Sequence, residues 1–123
     1  FTQAIINEEP LTVYGDGSTS RDYTYVGDTV NGILAALEYQ GSNFEIINLG
    51  NHYSIPLLEL IRAVEKAVGK KAELQYGPEQ PGDVPKTYAD ISKAQQLLGY
   101  NPSTTLEVGL AHFVQWYREQ RGE

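Results

Sequence analysis

A mixed α/β fold on a small sheet is predicted by three observations on this 123-residue chain. Short β-rich runs alternate with stretches of helical apolar spacing. Glycine and proline clusters punctuate them. The strands are few and short, and a sheet needs about three strands with a covered face to stand alone. The sheet therefore looks small for its helices, as in a lobe that packs against something else.

The elements follow in order. Phe1-Thr2-Gln3-Ala4-Ile5-Ile6 reads as the tail of a helix, ended before Pro10. Leu11–Tyr14 is a strand, stopped by the turn cluster Gly15-Asp16-Gly17-Ser18. Asp22–Val26, rich in aromatic and β-branched residues, is expected as a second strand. Asp28 is the expected cap of a helix carrying Val30, Ile33, Leu34 and Leu37 on one face, with Gly41 as its stop. Phe44–Leu49 is expected as a third strand. Ser54 should cap the next helix, with Pro56 in its first turn, Leu57, Ile61, Val64 and Val68 on its face and Gly69 beyond its end. Glu73–Tyr76 is a short strand, and the proline-rich segment 77–85 is a loop. Asp90 should cap a short helix ending at Gly99. Thr105 should cap the last one, with Leu106, Leu110, Phe113 and Tyr117 as its stripe. No repeat or linker divides the chain, so residues 1–123 form one domain.

Composition narrows the function. Nine Lys+Arg against 16 Asp+Glu give a net charge of −7, which argues against a nucleic-acid partner. With no Cys there is no disulfide framework, thiolate metal site or cysteine nucleophile. No apolar run approaches the roughly 20 residues of a membrane span, so no membrane partner is expected and the cytoplasm is the default location. Met is also absent, even at position 1. A trimmed initiator would explain that; so would a piece cut from a longer protein.

Few residues invite chemistry. The Gly15-Asp16-Gly17 turn lacks a third glycine and leads into a strand, so a tight turn is favoured over a dinucleotide loop. His52 and His112 lie 60 positions apart without partner ligands, and read as surface or packing residues; no metal site is expected. Arg21, after the turn, could offer its planar fork to a phosphate, or simply pair with Asp16 or Asp22. Asp83, in the proline-rich loop, could accept from sugar hydroxyls, or merely initiate a turn.

At these residues the sequence resembles a known family. Val13-Tyr14-Gly15-Asp16-Gly17-Ser18-Thr19-Ser20-Arg21-Asp22-Tyr23-Thr24-Tyr25-Val26 is similar to the nucleotide-binding segment of the NAD-dependent epimerase/dehydratase family, the extended short-chain dehydrogenases. Ile47-Asn48-Leu49-Gly50, Pro81-Gly82-Asp83 with Tyr88-Ala89-Asp90, and Leu98-Gly99-Tyr100-Asn101-Pro102 follow in the same order. The resemblance spans essentially the whole chain.

It implies the C-terminal, substrate-binding lobe of a UDP-sugar 4-epimerase whose Rossmann half, absent here, holds NAD. By that resemblance Arg21 would contact the diphosphate and Asp83 the ribose hydroxyls. Thr12 and Tyr14 would meet the uracil, with Tyr23 near the same site. Gln80 stands where many relatives carry a second phosphate-binding Arg. The Gln80-Pro81-Gly82-Asp83-Val84-Pro85 form is similar to the uronate 4-epimerases and shifts the expected substrate toward a UDP-uronic acid.

Gly27-Asp28 replaces a frequent Asp-Asp and loosens the helix entry. None of the nine tyrosines has Lys four residues on, so the family's Tyr/Lys pair is missing and the chain alone is expected not to turn over. The family commonly dimerises through the Rossmann half, so a homodimer stays open. A dehydratase, decarboxylase or reductase of the same family remains an alternative, as does a free-standing nucleotide-sugar or protein-interaction module.

Overall fold

The computed structural model describes residues 1–122. The order is α1 (Thr2–Asn7), β1 (Leu11–Tyr14), β2 (Ser20–Arg21), α2 (Val26–Glu38), β3 (Ile55–Pro56), α3 (Leu57–Val68), β4 (Leu74–Gly77), α4 (Ser92–Leu98) and α5 (Leu106–Arg121). β1 and β4 pair in parallel, with Leu11 opposite Leu74 and Tyr14 opposite Gly77. β2 and β3 form a two-residue antiparallel ladder. Both strand directions therefore occur, as expected of a small mixed sheet with packed helices.

The main core lies where α1, α3 and α5 meet β1. Ile5, Val13, Ile61, Val64 and Val114 are almost wholly buried there, with Leu11, Leu60 and Val68 around them. Burying one such side chain contributes about 1.5–3 kcal/mol. The helix ends are tied by charged side chains. The Lys70 ammonium donates to the Ile6 carbonyl at 2.9 Å, and Arg118 Nη2 to the Val68 carbonyl at 2.7 Å. A second, smaller cluster holds Ile91, Ala94 and Tyr100, with Ile47 and Leu49 packed on it.

Several elements differ from the sequence expectation. Residues 22–25 are not a strand; the ladder stops after Arg21, and α2 already starts at Val26. Continuing past Arg21 would set Asp22 opposite Ser54, but there the Asn51 and His52 N–H groups donate to the Asp22 carboxylate instead of to a strand backbone. Ser54 does not cap α3, whose N-cap is Pro56. The N–H groups of Leu57 and Leu58 donate instead to the carbonyls of Thr19 and Gly17, so the turn after β1 closes the helix start.

Asp28 is not a cap either. It lies within the first turn of α2, buried, and its carboxylate accepts the Thr104 N–H at 3.0 Å. α2 ends at Glu38, before Gly41. Residues 44–49 pair with no strand among the described residues; Phe44 and Ile46 are 77% and 72% exposed. Strand propensity is largely the fit of a side chain to a neighbouring strand, and here Ile47 and Leu49 pack on the Ile91, Ala94 and Tyr100 cluster while no described strand lies alongside. In α5 Leu106 and Leu110 pack on the core as expected, but the fully buried residue is Val114 and Phe113 is exposed. Thr105 does cap α5, accepting the Val108 N–H, and Gly69 and Gly99 end their helices in the left-handed region. Asp90 accepts the Ser92 N–H at 2.9 Å, although the N-cap position of α4 is Ile91.

Candidate functional site

The proline-rich loop after β4 connects the two ladders, and that connection builds the site. At one end the Gly15 N–H donates to the Gly77 carbonyl, beside Tyr14. At the other the Ser20 N–H donates to the Pro85 carbonyl and the Thr87 N–H to the Ser20 carbonyl. The loop between is held by its own turn, in which Asp83 N–H donates to the Gln80 carbonyl and Gly82 takes φ +84°. Only glycine adopts that backbone region without strain.

Arg21 and Asp83, 62 positions apart, meet in an ion pair through Arg21 Nη2 and Asp83 Oδ1. Arg21 Nη1 also donates to the Ser20 carbonyl at 2.8 Å. The guanidinium has five N–H donors, so the fork keeps capacity for a further acceptor. Thr12 and Tyr14 alternate with buried Leu11 and Val13, and so face outward from β1. Tyr14 is 47% exposed, and a Cβ on Gly77 would lie 3.4 Å from its ring. The small residue at 77 leaves that aromatic surface open. Gln80 is exposed on the same loop as Asp83, and its amide is neutral.

Tyr23 is placed differently. Its ring packs against the main core and borders an apolar cleft of about 610 Å³ with Tyr25, Leu106, Leu110 and Trp116. Burial raises the Tyr23 phenol above its ordinary range, and the nearby Arg21 charge partly opposes that. His112 lies in this cleft too, with Nδ1 at 3.2 Å from the Tyr25 hydroxyl. His52 sits in a left-handed backbone conformation with its ring edge-on to Tyr53. No cluster of three or more His, Cys, Asp and Glu able to hold a metal occurs among the described residues. No described helix is long and apolar enough to cross a membrane.

The turn at 15–18 does not fit a dinucleotide. It leads into β2 rather than a helix, and a Cβ on Gly17 would lie 2.6 Å from Leu58 Cγ. One on Gly15 would lie 3.1 Å from Glu79 Cγ. These glycines make room for the chain's own side chains, not for a pyrophosphate, and Asp16 closes the turn by accepting the Ser18 N–H at 2.8 Å. The 15–18 turn thus presents a pyrophosphate with neither a helix N-terminus nor an open glycine edge.

One residue escaped the sequence reading. Asp22, whose local sequence suggests only a strand residue or a partner for Arg21, accepts hydrogen bonds from the N–H groups of Asn51, His52 and Ala89 and from the Thr24 hydroxyl. Local spacing carries no signal for contacts 29 to 67 positions away.

Known proteins share this fold. The family model described as GDP-mannose 4,6 dehydratase matches residues 1–113. The UDP-glucuronate 4-epimerase of Thermodesulfobacterium geofontis is 40% identical over 120 residues, covering 97% of this chain and 36% of its own length. UDP-glucuronic acid decarboxylase 4 of Arabidopsis thaliana is 35% identical over 120 residues, covering 98% of this chain and 27% of its own length. The crystal structure of UDP-glucuronic acid 4-epimerase from Bacillus cereus, in complex with UDP-glucuronic acid and NAD, superposes with a TM-score of 0.87. It is 36% identical, over 97% of this chain and 38% of that one. The chain thus spans roughly a third of the length of these relatives. It belongs to the GDP-mannose 4,6 dehydratase family, and it matches a C-terminal part of the extended short-chain dehydrogenases.

Proposed function

We propose that this chain is the nucleotide-sugar-binding lobe of an NAD-dependent UDP-sugar 4-epimerase, acting on a UDP-uronic acid. The observation that carries the reading is the meeting of Arg21 and Asp83 at the mouth of the loop that also borders Tyr14. A guanidinium suits two phosphate oxygens, and a carboxylate suits paired ribose hydroxyls. Thr12 and Tyr14 offer a backbone edge and an aromatic surface to a base. Gln80 adds a neutral amide where a second cation would tighten the hold on phosphate.

In this arrangement the lobe holds UDP and leaves the sugar free to present either face to the hydride-accepting cofactor of the whole protein. Binding energy from the nucleotide then serves the chemistry by positioning. The Gln80–Pro85 sequence and the 40% identity to a UDP-glucuronate 4-epimerase favour the uronate over other UDP-sugars. The identity to a decarboxylase supports a second reading, in which the same lobe serves removal of the uronate carboxylate. Product analysis with UDP-glucuronate separates them, since only the second releases CO2.

The partner of the lobe is a Rossmann domain. Val30, Ile33, Leu34 and Leu37 of α2 are 44%, 49%, 55% and 78% exposed, and Phe44 and Ile46 of the unpaired segment lie exposed as well. That surface is what a neighbouring sheet and its helices would cover.

Calorimetry with UDP tests the site. Arg21→Ala in the whole encoded protein should weaken UDP binding about tenfold or more, as expected for one charge-assisted contact. Equal affinity for wild type and variant would remove Arg21 from the site.

A further inference from the structure

We infer that Asp22 is a positioning residue for nucleotide binding, holding the Asp83 loop against Arg21; the inference rests on the UDP-site reading above. Its carboxylate joins three segments that are remote in sequence. Oδ1 and Oδ2 accept the Asn51 N–H at 2.9 and 3.0 Å, and Oδ2 accepts the His52 N–H at 3.0 Å and the Ala89 N–H at 3.1 Å. The Thr24 hydroxyl donates to Oδ1 at 3.0 Å. Hydrogen bonds to an ionised acceptor are stronger than neutral ones, and here one carboxylate gathers four donors.

The consequence reaches the site through residue 89. The chain leaving Asp83 is fixed at Pro85 and Thr87 by the two backbone bonds of Ser20, and at Ala89 by Asp22. Ser20, Arg21 and Asp22 are consecutive, so one short backbone stretch carries the phosphate ligand and both anchors of the ribose ligand's loop. The third segment is built to admit the carboxylate. A Cβ on Gly50 would lie 2.9 Å from Asp22 Oδ2 and 2.5 Å from the Ala89 Cβ. His52 takes φ +58°, a conformation a non-glycine residue keeps only where its surroundings impose it. The Asn51 and His52 N–H groups converge on Asp22 as a result. Among the described residues the Asp22 side chain hydrogen-bonds neither Arg21 nor Asp83; it acts through Ala89.

Asp22→Asn keeps the shape, removes the charge and turns an NH2 toward backbone donors. A double-mutant cycle with Asp83→Ala, read by calorimetry on the whole encoded protein, isolates positioning from general loosening. Asp22→Asn should weaken UDP about tenfold in the native background and less than twofold in the Asp83→Ala background. Inorganic pyrophosphate, which needs Arg21 and not the ribose ligand, should lose less than twofold in Asp22→Asn. An equal UDP loss in both backgrounds, or no loss in either, overturns the positioning role while leaving the UDP site standing. A native protein insensitive to both Arg21→Ala and Asp83→Ala overturns the UDP-site reading itself, and the inference with it. Should Asp22→Asn fail to fold, Ala89→Pro removes the one N–H that links the loop segment to the carboxylate. The same cycle then applies: a UDP loss dependent on Asp83 supports the role, and one independent of it overturns the role.

Discussion

Helices α2 and α3 are nearly equal in length, 13 and 12 residues, and both show apolar residues at helical spacing. Their fates differ. α3 buries Leu60, Ile61, Val64 and Val68 against β1, α1 and α5, whereas α2 buries only Asp28 and Gly32 and leaves its aliphatic face open. An amphipathic pattern therefore specifies which face seeks cover and not what covers it. That depends on which segments the topology brings alongside. β1 and β4 pair next to α3, while residues 44–49, the segment that follows α2, have no strand beside them.

The comparison breaks most sharply at the two faces themselves. Ile61→Ala should cost about 3 kcal/mol in thermal or denaturant unfolding, the range for large-to-small changes in a packed core. At dilutions where the chain is monomeric, Leu34→Ala on α2 should cost less than about 0.5 kcal/mol, as an exposed substitution does. Equal losses at the two sites would show that the α2 face is covered in solution.

A second test uses association. Because the α2 face is open, the 123-residue chain should self-associate, and Leu34→Lys with Leu37→Lys should return it toward its 13.7 kDa monomer mass in sedimentation. A native chain that already sediments as a monomer at every concentration would contradict this.

The smallest effect is one of pH, and it belongs to the α3 side. Glu65 at the end of α3 has its carboxyl held below its ordinary value of 4.5, first by the Lys71 hydrogen bond and then by the Ala72 N–H. A depressed folded pKa means the unfolded chain binds the proton more readily. The contribution is therefore complete above 4.5 and is lost as the pH falls through the lower, folded value. Unfolding midpoints should drop on acidification through that window, and less in Glu65→Gln. An identical acid response in the variant would remove Glu65 from the account.

Much of the local grammar was legible in the residues. Gly69 and Gly99 at helix ends, Thr105 as a cap, the β1 and β4 strands and the apolar face of α3 follow from steric and hydrogen-bonding rules that act within a few positions. The 22–26 and 44–49 strands failed for the opposite reason: a strand exists only through its partner. Arg21 and Asp83 were singled out by residue type and resemblance, but their pairing was not visible, because neither flanking sequence encodes the other's position. Asp28 shows the same limit. Read locally it is a cap, yet the structure spends its carboxylate on Thr104, 76 positions away.

The sequence alone determined the class of fold, the turn at Gly15–Ser18, the helix ends and the candidate ligands for a nucleotide. Those depend on backbone sterics, periodicity and side-chain chemistry, which are properties of neighbouring residues. Tertiary structure alone decided that Arg21 meets Asp83, that Asp22 binds three segments together, and that α3 is covered while α2 is open. These are contacts between residues tens of positions apart. Their formation depends on the entropy of closing long loops and on the shape of the packed core, and neither is written in any short stretch of chain.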